Sequence, residues 1–344
     1  METLKERYAE IGGGFWDTVI DVVSQVANED ASMQLNAKVT PTGRYVARAS
    51  GAERAPRKRA IDNAVAVENM EGEEVYLRPN GTQYFGRKWG VHSDVLTLRK
   101  AREATAKVFA GSAGSPMFAL LYGAPGCGKT ALVEAAYADV YTLMGTGDTE
   151  VADMIGGYVQ TPAGGFEWVD GDLIKAAETG GVYFIDEIGL IDPKVLSIVY
   201  GLMDGRRELT ITANPERGTI KAHPEFFVVA ATNPNAPGVR LSEALLSRFT
   251  LQVEMTTDWA LARKVGVPTA LVTVAQNLAK KQLAREVSWA PQFRELIAFR
   301  DIAETFGTDF AIANLLAASP ELDRPIVADV LTRAYAVECK PAKI

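Results

Sequence analysis

The chain has 344 residues, 47% of them hydrophobic and 23% charged, which excludes a disordered or collagen-like protein and leaves room for about two domains. Its 36 basic and 43 acidic residues give a net charge of −7, so a uniformly basic nucleic-acid coat is excluded and any such contact needs a local patch. Two cysteines, Cys127 and Cys339, make no disulfide framework and fit a reducing compartment. Two histidines, His92 and His223, lie far apart, which speaks against a zinc site or a histidine triad. The start Met-Glu-Thr-Leu-Lys-Glu has no apolar core of a signal peptide, and no apolar run is long enough to span a bilayer. A cytoplasmic protein without membrane contact is the expectation.

Residues 1–90 read differently from the rest. Phe15, Trp16, Val19, Ile20 and Val23 recur at helical spacing and predict a short helix over Phe15–Ala27, after the breaker Gly12-Gly13-Gly14. Residues 28–72 read as mostly loop or linker. Within them Arg54, Arg57, Lys58 and Arg59 stand against Glu53, either a solvated segment or a contact for phosphate or an acidic partner. Pro79-Asn80-Gly81 between the β-prone runs Val75–Arg78 and Thr82–Gly86 predicts a hairpin, since Asn and Gly both tolerate positive φ. A basic helix follows over Ser93–Phe109, capped by Ser93 or Asp94.

From Met117 onward, apolar runs at Phe118–Tyr122, Val182–Ile185 and Phe226–Ala231 alternate with helical stretches at Thr130–Ala138 and Pro193–Met203. That alternation predicts a parallel α/β sheet. After Met255 only helical patterns recur, at Asp258–Val265, Pro268–Leu283, Pro291–Phe306, Asp309–Ala317 and Asp323–Ala336. The expected division is an N-terminal region over 1–90 whose role is unassigned, and which could define a substrate or partner, an α/β domain over 91–255 and a helical domain over 256–344.

Gly123-Ala124-Pro125-Gly126-Cys127-Gly128-Lys129-Thr130 matches the pattern G-x-x-x-x-G-K-[ST]. It follows an apolar strand and, with Ala131, opens a helix, which is the context the motif needs. Glycines let the backbone wrap a phosphate with its N–H groups inward, and the helix start adds its positive dipole end. Lys129 would reach the β- and γ-phosphates of ATP, and the Thr130 hydroxyl would ligate Mg2+. Cys127 is read either as a small tolerated residue or as a thiol with a lowered pKa at a helix N-terminus.

Gly180–Glu187 is an apolar strand ending in two acids. Asp186 suits a place on Mg2+, and Glu187 suits a general base that polarises the attacking water. Phe226–Pro234 is a further buried strand, ending in Thr232-Asn233-Pro234. Asn233 could orient the lytic water or touch the γ-phosphate, but Asn-Pro is also a common turn starter.

In this order, the phosphate loop, the Asp186-Glu187 strand, Ala231-Thr-Asn233-Pro, Leu241–Phe249 and Ala290-Pro-Gln-Phe-Arg294 resemble the AAA+ ATPases, within them the MoxR-type branch with the CbbQ/NorQ activators and the cobaltochelatase ATPase subunit. The resemblance covers roughly residues 95–338. It implies a P-loop NTPase core with a parallel sheet followed by a helical lid, bound ATP and Mg2+, and a ring that is usually hexameric. It makes Asn233 the first sensor, Arg248 an arginine finger reaching a neighbour's γ-phosphate, with Arg240 as the fallback, and Arg294 the second sensor, reaching nucleotide from the lid. It also likens Asp153–Ala177 to a hairpin inserted in helix 2 that lines a central pore, and residues 206–224 to the hairpin before the first sensor. Phe166 and Trp168 lie two apart, so on a strand both rings face one way, to grip a client or to pack locally.

The leading expectation is therefore a ring ATPase that remodels or activates a protein partner, with a von Willebrand A-type protein one candidate. A nucleic-acid motor of restriction or phage-replication type is the rival, motivated by residues 54–59 and Arg99-Lys-Ala-Arg102. The same motifs would also serve a chelatase-type subunit or a low-turnover ATP-gated scaffold.

Overall fold

The computed structural model describes residues 66–68 and 74–341. The helix expected over Phe15–Ala27 and the basic stretch 54–59 lie outside the described residues. Strand β1 (Ala66–Glu68) pairs antiparallel with β2 (Glu74–Leu77), which pairs with β3 (Gln83–Phe85). Strand β1 is a three-residue extended piece within the stretch expected to be mostly loop. The β2–β3 turn is where sequence placed it, but its chemistry differs. Gly81 alone takes positive φ (78°), its N–H donates to the Arg78 carbonyl at 2.9 Å, and Asn80 Oδ1 accepts from the Thr82 amide at 3.0 Å. This is a type I turn with Pro79 at its second position, closed by a left-handed glycine.

Two-residue strands β4 (Lys88–Trp89) and β5 (His92–Ser93) lead into α1 (Asp94–Phe109). Ser93 occupies the N-cap position, but its side chain makes no capping bond and donates instead to Glu74 at 2.7 Å. Asp94 Oδ1 accepts the amides of Val95 and Arg87.

The central sheet is built from β6 (Ala119–Tyr122), β7 (Val140–Met144), β10 (Val182–Asp186), β13 (Phe227–Thr232) and β14 (Leu251–Glu254), in the order β14-β6-β13-β10-β7, all parallel. Every residue of β10 and β13 is buried, because central strands of a parallel sheet are covered on both faces. Full burial of rings such as Phe184 and Phe227 stabilises the sheet by about 1.5–3 kcal/mol each. Edge strands β7 and β14 were not expected from sequence, since half-exposed segments such as Leu-Gln-Val-Glu carry a weaker apolar signal.

Helix α2 (Lys129–Ala136) joins β6 to β7. The next crossover holds two short helices, α3 (Val151–Ile155) and α4 (Asp172–Thr179), with the hairpin of β8 (Gly156–Gln160) and β9 (Phe166–Asp170) between them. The hairpin's two legs join the helices at Gly156 and Gly171. A Cβ on Gly171 would lie 2.3 Å from the Met154 carbonyl oxygen, so only glycine lets the backbones cross there. Trp168 sits half-buried against the core, edge-on to Tyr158 at 5.3 Å, with Nε1 donating to Asp170 at 2.7 Å, while Phe166 is 71% exposed.

Helix α5 (Pro193–Met203) and the small hairpin β11 (Glu208–Thr210) and β12 (Thr219–Lys221) precede β13. His223 accepts the Glu225 amide on Nδ1 there, a capping role. Arg217 ties the loop of this hairpin to Asp170 and Glu178, so the two hairpins share an ionic contact. The short helix α6 (Glu243–Leu246) leads to β14.

After β14 the chain is helical: α7 (Trp259–Lys264), α8 (Thr269–Leu283), α9 (Phe293–Phe306), α10 (Thr308–Ala318) and α11 (Arg324–Tyr335). These helices enclose their own hydrophobic core, from Ala262 to Leu331, separate from the core that surrounds the sheet and runs from Tyr76 to Met255. Tyr76 and Tyr84 of the β2–β3 hairpin belong to the sheet's core. Among the described residues no helix is long and apolar enough to cross a membrane.

Candidate nucleotide-binding site

Strand β6 ends at Tyr122, and the chain turns through Gly123–Gly128 into α2. Gly126 (φ 78°) and Gly128 (φ 95°) adopt left-handed conformations that an L side chain would strain. Lys129 is the first residue of α2 and is 6% exposed. Its ammonium donates to the carbonyls of Gly123 (2.9 Å) and Ala124 (3.1 Å), with no carboxylate partner among the described residues. Its ammonium also contacts the Cys127 Sγ at 4.0 Å, and a buried cation held by such neutral groups is a strong attractor for an anion.

The Thr130 hydroxyl donates to Asp186 Oδ2 at 2.8 Å, joining the start of α2 to the end of β10. The other oxygen of Asp186 accepts the Glu187 amide at 3.0 Å. Glu187 itself takes a left-handed conformation (φ 51°), strained by about 1–3 kcal/mol for a residue with a side chain, and its Oε2 is buried without a partner. Strain and an unpaired carboxylate oxygen coincide at the residue predicted to be the base.

These groups line a cavity of about 750 Å³, within the range of small-molecule sites. The loop and the start of α2 supply Pro125, Gly126, Gly128, Lys129, Thr130 and Ala131, β10 supplies Asp186, and Glu187 follows directly after it. Leu261, Val265, Phe293, Arg294, Ile297 and Arg300 of the helical segment face them. Arg294 therefore reaches the cavity from the second residue of α9, whose start is set by a Gln292–Glu295 capping box. The donors available to a metal here, Thr130 and Asp186, are hard oxygens, and no cluster of three or more metal-ligating side chains occurs among the described residues. Such a pair fits Mg2+ bound mainly through phosphate and water, rather than in an all-protein cage.

Three expected residues lie elsewhere. The Asn233 side chain accepts the Asn235 amide at 3.3 Å, the turn-starting arrangement, and does not line the cavity. Arg248 lies over the Tyr200 ring at 4.2 Å and donates to the Ala244 carbonyl at 2.6 Å, away from its own chain's cavity. Arg240 is exposed. The Cys127 side chain is fully buried, and burial pushes its thiol pKa up, opposed by Lys129 and Arg87. That direction contradicts the lowered pKa on which the redox reading rested.

The fourth wall of the cavity is the β2–β3 hairpin with the residues after it: Arg78, Thr82–Phe85 and Arg87. Arg78 forms a 3.0 Å ion pair with Glu134 of α2. Arg87 donates to the Cys127 carbonyl at 2.8 Å and to the Thr256 carbonyl at 3.0 Å. Sequence reasoning found the hairpin and left it without a role. Its polar residues carry no spacing motif, and the partners of Arg87 lie 40 and 169 positions away.

Residues 119–249 match the family model of the AAA domain, dynein-related subfamily. An uncharacterised protein of Staphylococcus haemolyticus is 39% identical over 140 residues, covering 38% of this chain and 52% of that protein. An uncharacterised protein of Staphylococcus aureus is 38% identical over 140 residues with the same coverage. The chain thus spans about half the length of the curated relatives it matches. The crystal structure of NtrX from Brucella abortus in complex with ADP aligns with 66% of this chain and 51% of its own, at 14% identity and a TM-score of 0.36.

Proposed function

We propose that this chain binds ATP with Mg2+ in the cleft and hydrolyses it to ADP and phosphate, and that it works as a ring, hexameric as the MoxR-type resemblance implies, to remodel or activate a protein partner. In this reading residues 91–255 are the ATP-binding domain and 256–344 its lid. One observation carries the hydrolytic part: a buried Lys129 with neutral partners, a Thr130–Asp186 pair and an unpaired Glu187 carboxylate oxygen converge on one cavity.

In this reading the Lys129 ammonium leaves the two loop carbonyls for phosphate oxygens, and the loop's amides hold the remaining charge. Thr130 and Asp186 would hold Mg2+, which when bound would neutralise phosphate charge. Glu187 polarises the attacking water and takes its proton. Asn233 is kept as a first-sensor candidate that must reorient to act. Arg294 contacts nucleotide from the lid. Because Arg248 does not line its own chain's cavity, a finger role would need a neighbouring copy.

The nucleic-acid reading has less support. Arg99 donates to the Ala136 carbonyl and Arg102 pairs with Asp139 at 2.7 Å, so two of the three basic residues in Arg99-Lys-Ala-Arg102 are engaged within the fold, while Lys100 is exposed and residues 54–59 lie outside the described residues. The protein-client reading is supported by exposed Tyr158, Val159 and Phe166 on the β8–β9 hairpin. The test is phosphate release from ATP: turnover in the wild type, lost with ATP binding in Lys129→Ala and lost with binding retained in Glu187→Gln. Unchanged turnover in Glu187→Gln would sink the hydrolytic reading.

A further inference from the structure

Met255–Asp258 connects the sheet to the helical segment, and each of its residues has a specific attachment. The Met255 amide donates to the Tyr122 carbonyl at 2.7 Å, and its own carbonyl presses on Gly123, where a Cβ would lie 2.1 Å away. The Thr257 hydroxyl donates to Gln292 Oε1 at 2.7 Å, at the cap of the helix that carries Arg294. The Asp258 carboxylate caps α7 through the amides of Ala260 and Leu261. The Thr256 carbonyl accepts from Arg87.

Arg87 spends its other terminal nitrogen on the Cys127 carbonyl, in the middle of the phosphate loop. Its planar fork therefore spans loop and hinge at once. The backbone below is anchored: Arg87 N–H donates to Asp94 Oδ1 at 3.0 Å, and Asp94 N–H donates back to the Arg87 carbonyl at 2.9 Å. The second oxygen of Asp94 is held by the Tyr84 hydroxyl, whose ring is buried in the sheet's core. Gly128 makes room for the guanidinium, since a Cβ there would lie 2.9 Å from Nη2.

Two cations thus bond carbonyls of the loop. Lys129 holds those of Gly123 and Ala124 and must release them to meet a phosphate. Arg87 holds that of Cys127 and need not let go. We propose that Arg87 is a positioning residue that ties the phosphate loop to the hinge, so that nucleotide on the loop changes the freedom of residues 255–258. The proposal rests on the nucleotide reading above and adds to it a specific mechanical link.

The test is hydrogen–deuterium exchange on the full chain, with and without Mg2+-ADP, in wild type, Arg87→Ala, Arg87→Lys and Arg99→Ala. Arg99 is the control, because it also bonds carbonyls but lies away from the hinge. In the wild type, ADP is expected to slow exchange in both 123–131 and 255–262. In both Arg87 variants the loop response should persist, with ADP bound about tenfold more weakly, while the hinge response disappears. Arg87→Lys keeps the charge but loses the fork, so its failure to restore the hinge response would distinguish geometry from charge. A wild-type hinge response in both Arg87 variants, or its equal loss in Arg99→Ala, overturns the proposal alone. No ADP protection of the wild-type loop would overturn the nucleotide reading, and this inference with it.

Discussion

Gly126 and Arg294 touch: a methyl group on the glycine would lie 2.8 Å from the arginine Cβ. The phosphate loop therefore meets the first turn of α9 without a side chain between them. Gly126 also has φ of 78°, so the position is constrained both by space and by backbone conformation. Gly126→Ala is expected to destabilise the fold by about 1–3 kcal/mol and to weaken nucleotide binding. Arg294→Ala, which leaves the loop backbone alone, should weaken binding while moving the melting temperature little. Isothermal titration with ADP and thermal unfolding separate the two.

Lys129 and Glu187 face one cavity but do different work. Lys129→Ala should weaken ATP binding by about a hundredfold or more, since a charge-assisted contact to phosphate is lost. Glu187→Gln should keep binding and lower turnover by about 10²- to 10⁴-fold. Equilibrium binding and single-turnover hydrolysis read the two effects separately.

Arg248 lies outside the cavity formed by its own chain, over Tyr200. Mixing Lys129→Ala chains with Arg248→Ala chains is expected to restore part of the activity that each lacks alone. Each mixed ring would then hold some sites with an intact loop beside an intact finger. Steady-state phosphate release against mixing ratio measures it, and a mixture as inactive as both parents refutes a shared site.

On the β8–β9 hairpin, two aromatic residues should respond differently. Phe166→Ala removes an exposed ring and should change stability by no more than about 0.5 kcal/mol. Trp168→Ala removes the edge-on contact with Tyr158 and the bond to Asp170, and should cost about 1–3 kcal/mol. Denaturant unfolding checks both. A client assay that responds to Phe166→Ala would place function at the tip.

Glu74 gives a pH signature. The hydroxyls of Tyr76 and Ser93 donate to its carboxylate and hold its pKa below the ordinary 4.5. A lowered folded pKa contributes stability that is complete above the unfolded value and is lost as pH falls through the folded value. The melting-temperature gap between wild type and Glu74→Gln should thus be widest above about pH 4.5 and close on further acidification. A gap that stays constant down to about pH 3 would show that the carboxylate charge is not what matters.

The phosphate loop, the acids of β10 and the alternation of strand and helix were legible because they depend on local order. A loop that wraps phosphate needs glycines at set spacings, and a strand covered on both faces is a run of apolar residues. The five helices after β14 were legible in the same way, from their amphipathic repeat. The edge strands β7 and β14 were not, because one-sided burial leaves a mixed pattern.

Other assignments depended on residues distant in the chain. Nothing near Arg87 announces that its guanidinium spans Cys127 and Thr256, and nothing near the Pro79-Asn80-Gly81 turn announces that its hairpin walls the cavity. Position at a helix N-terminus pointed Cys127 toward a lowered pKa, and burial reversed the direction. Spacing along the chain encodes what neighbours in sequence can build. Burial, and bonds between segments more than a hundred residues apart, exist only once the chain has closed on itself.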